Sequence, residues 1–175
     1  MMEKYDWIPP CLDISEIKTF FKEFPIEKIP IHATQGINER KKNLFRQIPK
    51  QDISPNFCDH LKNKKTFQSY LKFTSKRDFS ALDIGICMKN SNQDISCKNC
   101  DQNIEKDSIY VHASDRSTYL SKNYKNLYHP DCFKCSTCNE FLADLVYCMD
   151  KGKLYCMRHY GELFKSRCAI CDEVS

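Results

Sequence analysis

The sequence predicts a small mixed protein in two parts, with a mostly helical N-terminal half and a C-terminal half of short β-hairpins stapled by soft ligands. Two observations carry this. Apolar residues recur at three- and four-residue steps in the first half and alternate singly in the second. Only Cys11, Cys58 and Cys87 fall in the first 96 of 175 residues, whereas nine more cysteines lie between Cys97 and Cys171.

The first element is "DISEIKTFFKEFP", where Ile14, Ile17, Phe20, Phe21 and Phe24 form one helical face. Asp13 is its cap with Glu16 three residues on, and Pro25 ends it. In "GINERKKNLFRQIP", Ile37, Leu44, Phe45 and Ile48 share a side and Pro49 is the terminator. "KKTFQSYLKF" offers Phe67, Tyr70, Leu71 and Phe73 as a third stripe. The stripes read as core, and the basic runs "ERKK" and "KNKK" as solvated faces.

The polar run "KNSNQDIS" (residues 89–96) reads as a connection between the halves. Beyond it, "SIYVHAS", "LYHPDCFKC", "DLVYCMD" and "GKLYCMRH" alternate like short strands, and "DKGK" is a hairpin turn between the last two. Hairpins this small bury too little apolar surface to be stable alone and need a staple.

The staple is legible as pairs of ligand residues two apart: Cys97 and Cys100, His129 and Cys132, Cys135 and Cys138, Cys156 and His159, then Cys168 and Cys171. Such a gap makes a knuckle that aims both side chains at one ion, and tetrahedral zinc takes thiolate and imidazole ligands at about 2.3 and 2.0 Å. "MMEKYDWIPP" has charges and prolines where a secretory segment would be apolar, and no run of 18 apolar residues exists. Reducing cytosol or nucleus is the expected compartment, where clustered cysteines read as metal ligands before disulfides.

Four ligands close a structural site, so the first eight positions predict two structural zinc ions with no open position for catalysis. Sequential pairing gives Cys97, Cys100, His129 and Cys132 to one ion and Cys135, Cys138, Cys156 and His159 to the other. Only Phe133 and Lys134 then separate the sites. The alternating cross-brace of RING-type ubiquitin ligases needs a cysteine just before the histidine of its second pair, where Leu127 and Tyr128 stand. Cys168 and Cys171 supply half a tetrahedron and are expected to hold no stable zinc in the monomer. Cys148 reads as a small buried hydrophobe, and His32, His60 and His112 are assigned no metal.

The ligand order resembles the LIM domain, a double zinc finger with sequential sites. "YHPDCFKCSTC" is similar to the LIM centre, with Phe133 in the aromatic position between modules and Tyr128 in place of the commoner tryptophan. "KLYCMRHY" is similar to the closing knuckle, and "RCAICDEVS" to the first knuckle of a second LIM domain. The 28 residues between Cys100 and His129 exceed the usual LIM spacing, and the extra length is placed near "SDRSTYLSKN". "YDWIPP", "FPIEKIP", "GINERKKNLFRQIPKQD" and "FCDHL" resemble the PET domain. The chain is thus similar to the PET–LIM family, the testin- and prickle-like proteins. The implied organisation is PET over residues 1–89, a linker over 90–96, LIM over 97–160 and the start of a truncated second LIM domain over 161–175.

That resemblance implies an adaptor, not an enzyme. Its partners would be cytoskeletal, adhesion or polarity proteins, with a PET–LIM self-contact and peripheral membrane association as further implied modes. The implied location is cytoplasmic, at junctions or adhesions, with the nucleus as a second location. The competing reading is a nuclear zinc-finger regulator that binds nucleic acid or transcription factors. A net charge of +4 argues against phosphate binding, and six LIM thiolates against two zinc dications lower it to roughly +2. With four glycines and no nucleophile–base pair, the sequence offers no phosphate loop or catalytic constellation.

Overall fold

The computed structural model describes residues 5–9, 12–22, 24–82, 85–91, 93–114, 126–142 and 146–174. Beyond Ser114, the extended loop expected at 114–123 lies outside them. In the N-terminal half, α1 (Ile14–Phe21) has the expected capping box. Asp13 accepts from the Glu16 amide, while the Glu16 carboxylate accepts from the Asp13 amide. Its inward face is Ile17, Phe20 and Phe21, joined by Phe24, and Phe20 meets Phe21 and Phe24 at ring distances of 5.0 and 5.3 Å.

The next two apolar stripes differ from expectation. Helix α2 (Gln35–Gln47) buries Gly36 and Gln47, and leaves Phe45 76% exposed. The short α3 (Lys50–Ile53) follows, and α4 (Lys64–Ser80) continues seven residues past the expected stripe, starting from an Asn63–Thr66 capping box. It buries Tyr70, Phe73 and Arg77, leaving Phe67 and Leu71 at the surface. Both buried faces include polar groups that apolar periodicity cannot register: Gln47 is held by the Phe141 carbonyl and Arg77 by Asp52.

Residues before the expected linker enter the C-terminal sheet. Strand β1 (Ile86–Lys89) pairs antiparallel with β2 (Ile109–His112), which pairs with β3 (Leu127–Tyr128). Asn90 is buried, and its side-chain amide donates to the Ile104 carbonyl at 2.7 Å, while Ile104 N–H donates to Ile95 O. The polar run therefore folds along the first zinc module. A second hairpin pairs β4 (Tyr147–Asp150) with β5 (Lys153–Cys156). Its turn uses positive φ at Lys151 and Gly152, the primed geometry that matches strand twist. Helix α5 (Met157–Glu162) closes the unit.

The two halves share one core. Ile17, Phe20, Phe21 and Phe24 belong to the same buried cluster as Ile104, Val111, Phe133, Leu142 and Tyr147. Phe24 meets Phe141 at 4.3 Å between ring centroids, and Phe73 meets Phe164 at 5.5 Å. Glu140 accepts from Lys28 and Asn43, and Gln47 donates to the Phe141 carbonyl. Deeper still, Asp52 receives Arg77 from α4 and Arg167 from the segment after α5, with the three side chains 1%, 5% and 6% exposed.

Candidate metal centre

Each module is a knuckle from one hairpin facing a pair from the next element. Cys97 and Cys100 bracket a tight turn in which Cys97 N–H donates to Gln102 O and Asp101 N–H donates back to Cys97 O. His129 leaves the end of β3, and the short 3-10 turn Pro130–Cys132 brings Cys132 round to the same point. The second module repeats the plan: Cys135 and Cys138 lie on the next knuckle, Cys156 ends β5, and His159 lies one turn into α5.

Sequential pairing holds geometrically. The donor atoms of Cys97, Cys100, His129 and Cys132 all lie within 4.8 Å of one another, as do those of Cys135, Cys138, Cys156 and His159. His129 Nδ1 is 3.4 Å from Cys100 Sγ and 3.9 Å from Cys132 Sγ, and His159 Nδ1 is 3.6 and 3.2 Å from Cys135 and Cys156 Sγ. Bonds of about 2.0–2.3 Å in a tetrahedron require ligand edges of about 3.3–3.8 Å. Three thiols and one imidazole at this spacing fit a closed zinc site.

The surroundings orient the donors. His129 Nε2 faces the Asn103 carbonyl at 3.2 Å, so this nitrogen carries the proton and Nδ1 is free to face the thiols. His129 N–H points at Cys97 Sγ at 3.5 Å, a donor for a thiolate. Protons and a dication compete for the group. Burial pushes the Cys132 thiol up to about 12, and the hydrogen bond with Cys135 raises His159 to about 9. Hydrogen bonds from Cys138 hold Cys135 far below the usual thiol range.

Between the modules, Phe133 is fully buried, with its ring 5.6 Å from Tyr128 and 5.1 Å from Tyr147. A family model described as PET Domain matches residues 1–88, half of the chain, and one described as LIM domain matches residues 97–164. The chain belongs to the PET–LIM family. The LIM domain of this PET–LIM chain binds zinc, and its two Cys3His groups can each hold an ion. Curated relatives match 99% of the chain. They include "Prickle planar cell polarity protein 3-A" of Xenopus laevis (35% identical), "Prickle-like protein 1" of Homo sapiens (33%) and "Protein prickle" of Drosophila melanogaster (35%). The chain spans 31%, 20% and 13% of these relatives' own lengths. No solved structure matches it.

Other residues weighed from sequence fall elsewhere in the PET–LIM fold. Cys148 is buried, with its Sγ 3.6 Å from Met157 Sδ, and His112 lies on β2. Among the described residues, no helix is long and apolar enough to cross a membrane. Sequence reasoning missed one group: His60 of the PET half stands 3.5 Å from Cys171 Sγ, with Glu173 beside both. Nothing in the spacing signals this, because 111 residues separate the two partners.

Proposed function

We propose that this PET–LIM chain is a protein-binding adaptor of planar cell polarity, acting at the cytoplasmic face of cell junctions and the adjoining cytoskeleton. Cys97, Cys100, His129 and Cys132 hold one structural zinc ion, and Cys135, Cys138, Cys156 and His159 hold the other. The observation that carries the adaptor reading is the closed donor set. Each group offers four protein ligands around one point, so neither leaves a position for water or substrate. Zinc then substitutes for a large core, and the small modules can turn strand edges and aromatic side chains toward a partner.

The polarity assignment rests on the relatives named for planar cell polarity, which align with nearly the whole chain. Expressing the tagged chain in a planar-polarised epithelium tests it. The intact chain should enrich at one set of cell junctions, and the double replacement Cys100→Ser and Cys138→Ser should abolish that enrichment. Uniform distribution of the intact, zinc-loaded chain would overturn the reading.

A further inference from the structure

The outer nitrogens of the two zinc-facing histidines meet different oxygens. His129 Nε2 faces a backbone carbonyl of its own module, that of Asn103. His159 Nε2 instead lies 3.8 Å from the Glu162 carboxylate, three residues further along α5. That step puts two side chains on one helical face, so the carboxylate stands beside the imidazole. The distance exceeds a hydrogen bond, and the carboxylate acts on the ring through its charge. Negative charge at Nε2 favours the proton there and leaves Nδ1 its lone pair, on the side facing Cys135 and Cys156.

Glu162 is itself held in place. Its Oε1 accepts from Arg158 Nε and Arg167 Nε, both at 3.0 Å, while Oε2 is the atom turned to His159. Arg158 comes from the preceding turn of α5, but Arg167 is anchored in the PET half. Its Nη1 donates to Asp52 Oδ1 at 3.1 Å, and both side chains are buried. Asp52 is fixed in turn by Arg77 of α4 at 3.2 Å. A continuous run of contacts thus leads from two PET helices to the outer nitrogen of His159. The corresponding contact of His129 ends at a LIM carbonyl.

We propose that Glu162 is the positioning residue for His159, and that Asp52, through Arg167, ties retention of the second zinc ion to the PET half. The inference rests on the assignment of Cys135, Cys138, Cys156 and His159 to that ion. An imidazole that can turn must be ordered when it binds, and a carboxylate that fixes it beforehand lowers that cost. Removing such an outer partner lowers metal affinity about 10- to 100-fold. Two modules with the same three thiols and one imidazole are therefore unequal. Only the second has its histidine aligned by a network that reaches PET, so loosening the PET contact releases the second ion first.

The test is chelator competition on the zinc-loaded 175-residue chain, with nitrogen-15 spectra of the histidine rings to tell the two ions apart. In the unaltered chain, zinc should shift Nδ1 of both His129 and His159. No shift at His159 would overturn the ligand assignment and this proposal with it. Glu162→Gln keeps the shape of a side chain that is 30% exposed, so the fold is retained. It should weaken the second ion about tenfold, move the His159 Nε2 resonance, and leave His129 and the first ion unchanged. Asp52→Asn should weaken the second ion more than the first, and that difference should largely vanish beside Glu162→Gln. A second ion held by Glu162→Gln within about twofold of the unaltered chain would overturn the proposal, as would equal weakening of both ions. An Asp52→Asn difference that persists in full beside Glu162→Gln would overturn the link to PET.

Discussion

Asp52 is a single carboxylate set between two buried guanidinium groups. Replacing it with alanine leaves Arg77 with Asp78 and Arg167 with Glu162 but removes the buried carboxylate they share, and loss of one partner from a buried pair costs about 3–5 kcal/mol. Thermal denaturation of zinc-loaded Asp52→Ala should show that loss. A change below about 1 kcal/mol would mean that the network is solvated like a surface pair. The metal groups make a second residue-scale prediction. His159 has a raised pKa, so its proton stabilises the ligand group below its unfolded value near 6.5, and this contribution is lost as pH rises through about 9. Zinc needs the ring neutral and the thiols ionised, so zinc should be held more tightly at about pH 8 than at about pH 6. Equal chelator resistance at both would contradict this. The paired cysteines and histidines were legible because the two-residue gap is local chemistry. The contacts of Asp52 and His60 were not, since each reaches a partner more than a hundred residues away.

Among the elements, α2 is the most exacting. A Cβ on Gly36 would stand 1.8 Å from the Ile29 carbonyl oxygen, a backbone atom that cannot rotate away. Gly36→Ala should therefore destabilise by about 3 kcal/mol or more, read as a fall in melting temperature. A Cβ on Gly161 of α5 would stand 2.9 Å from the Phe73 ring, and a ring can yield, so Gly161→Ala should cost less. If the two variants melted alike, the backbone contact at Gly36 would not be the constraint. Helix starts were readable from sequence, because caps such as Asp13 are local. The inward faces of α2 and α4 were not: Gln47 and Arg77 are buried because carbonyl and carboxylate partners await them.

At the scale of the whole molecule, sequence reading expects chelation to unfold residues 97–159 and leave much of the helical signal. The shared core changes that expectation. Ile17, Phe20, Phe21 and Phe24 pack into the cluster that the zinc modules complete, and each fully buried apolar side chain contributes about 1.5–3 kcal/mol. Removing zinc should therefore lower far- and near-ultraviolet circular dichroism together, in one transition. Two well-separated transitions would show that the helical half stands alone.

The pairing of β1 with β2 bears on how the molecule can be taken apart. A fragment beginning at Cys97 would look complete by its ligands, yet it would lack the strand that covers β2. The backbone of Ile109–His112 would then present an open edge carrying Ile109, Tyr110 and Val111, an invitation to self-association. Binding seen with such a fragment would report a surface manufactured by the cut. Fragments that start before Ile86 keep that edge occupied.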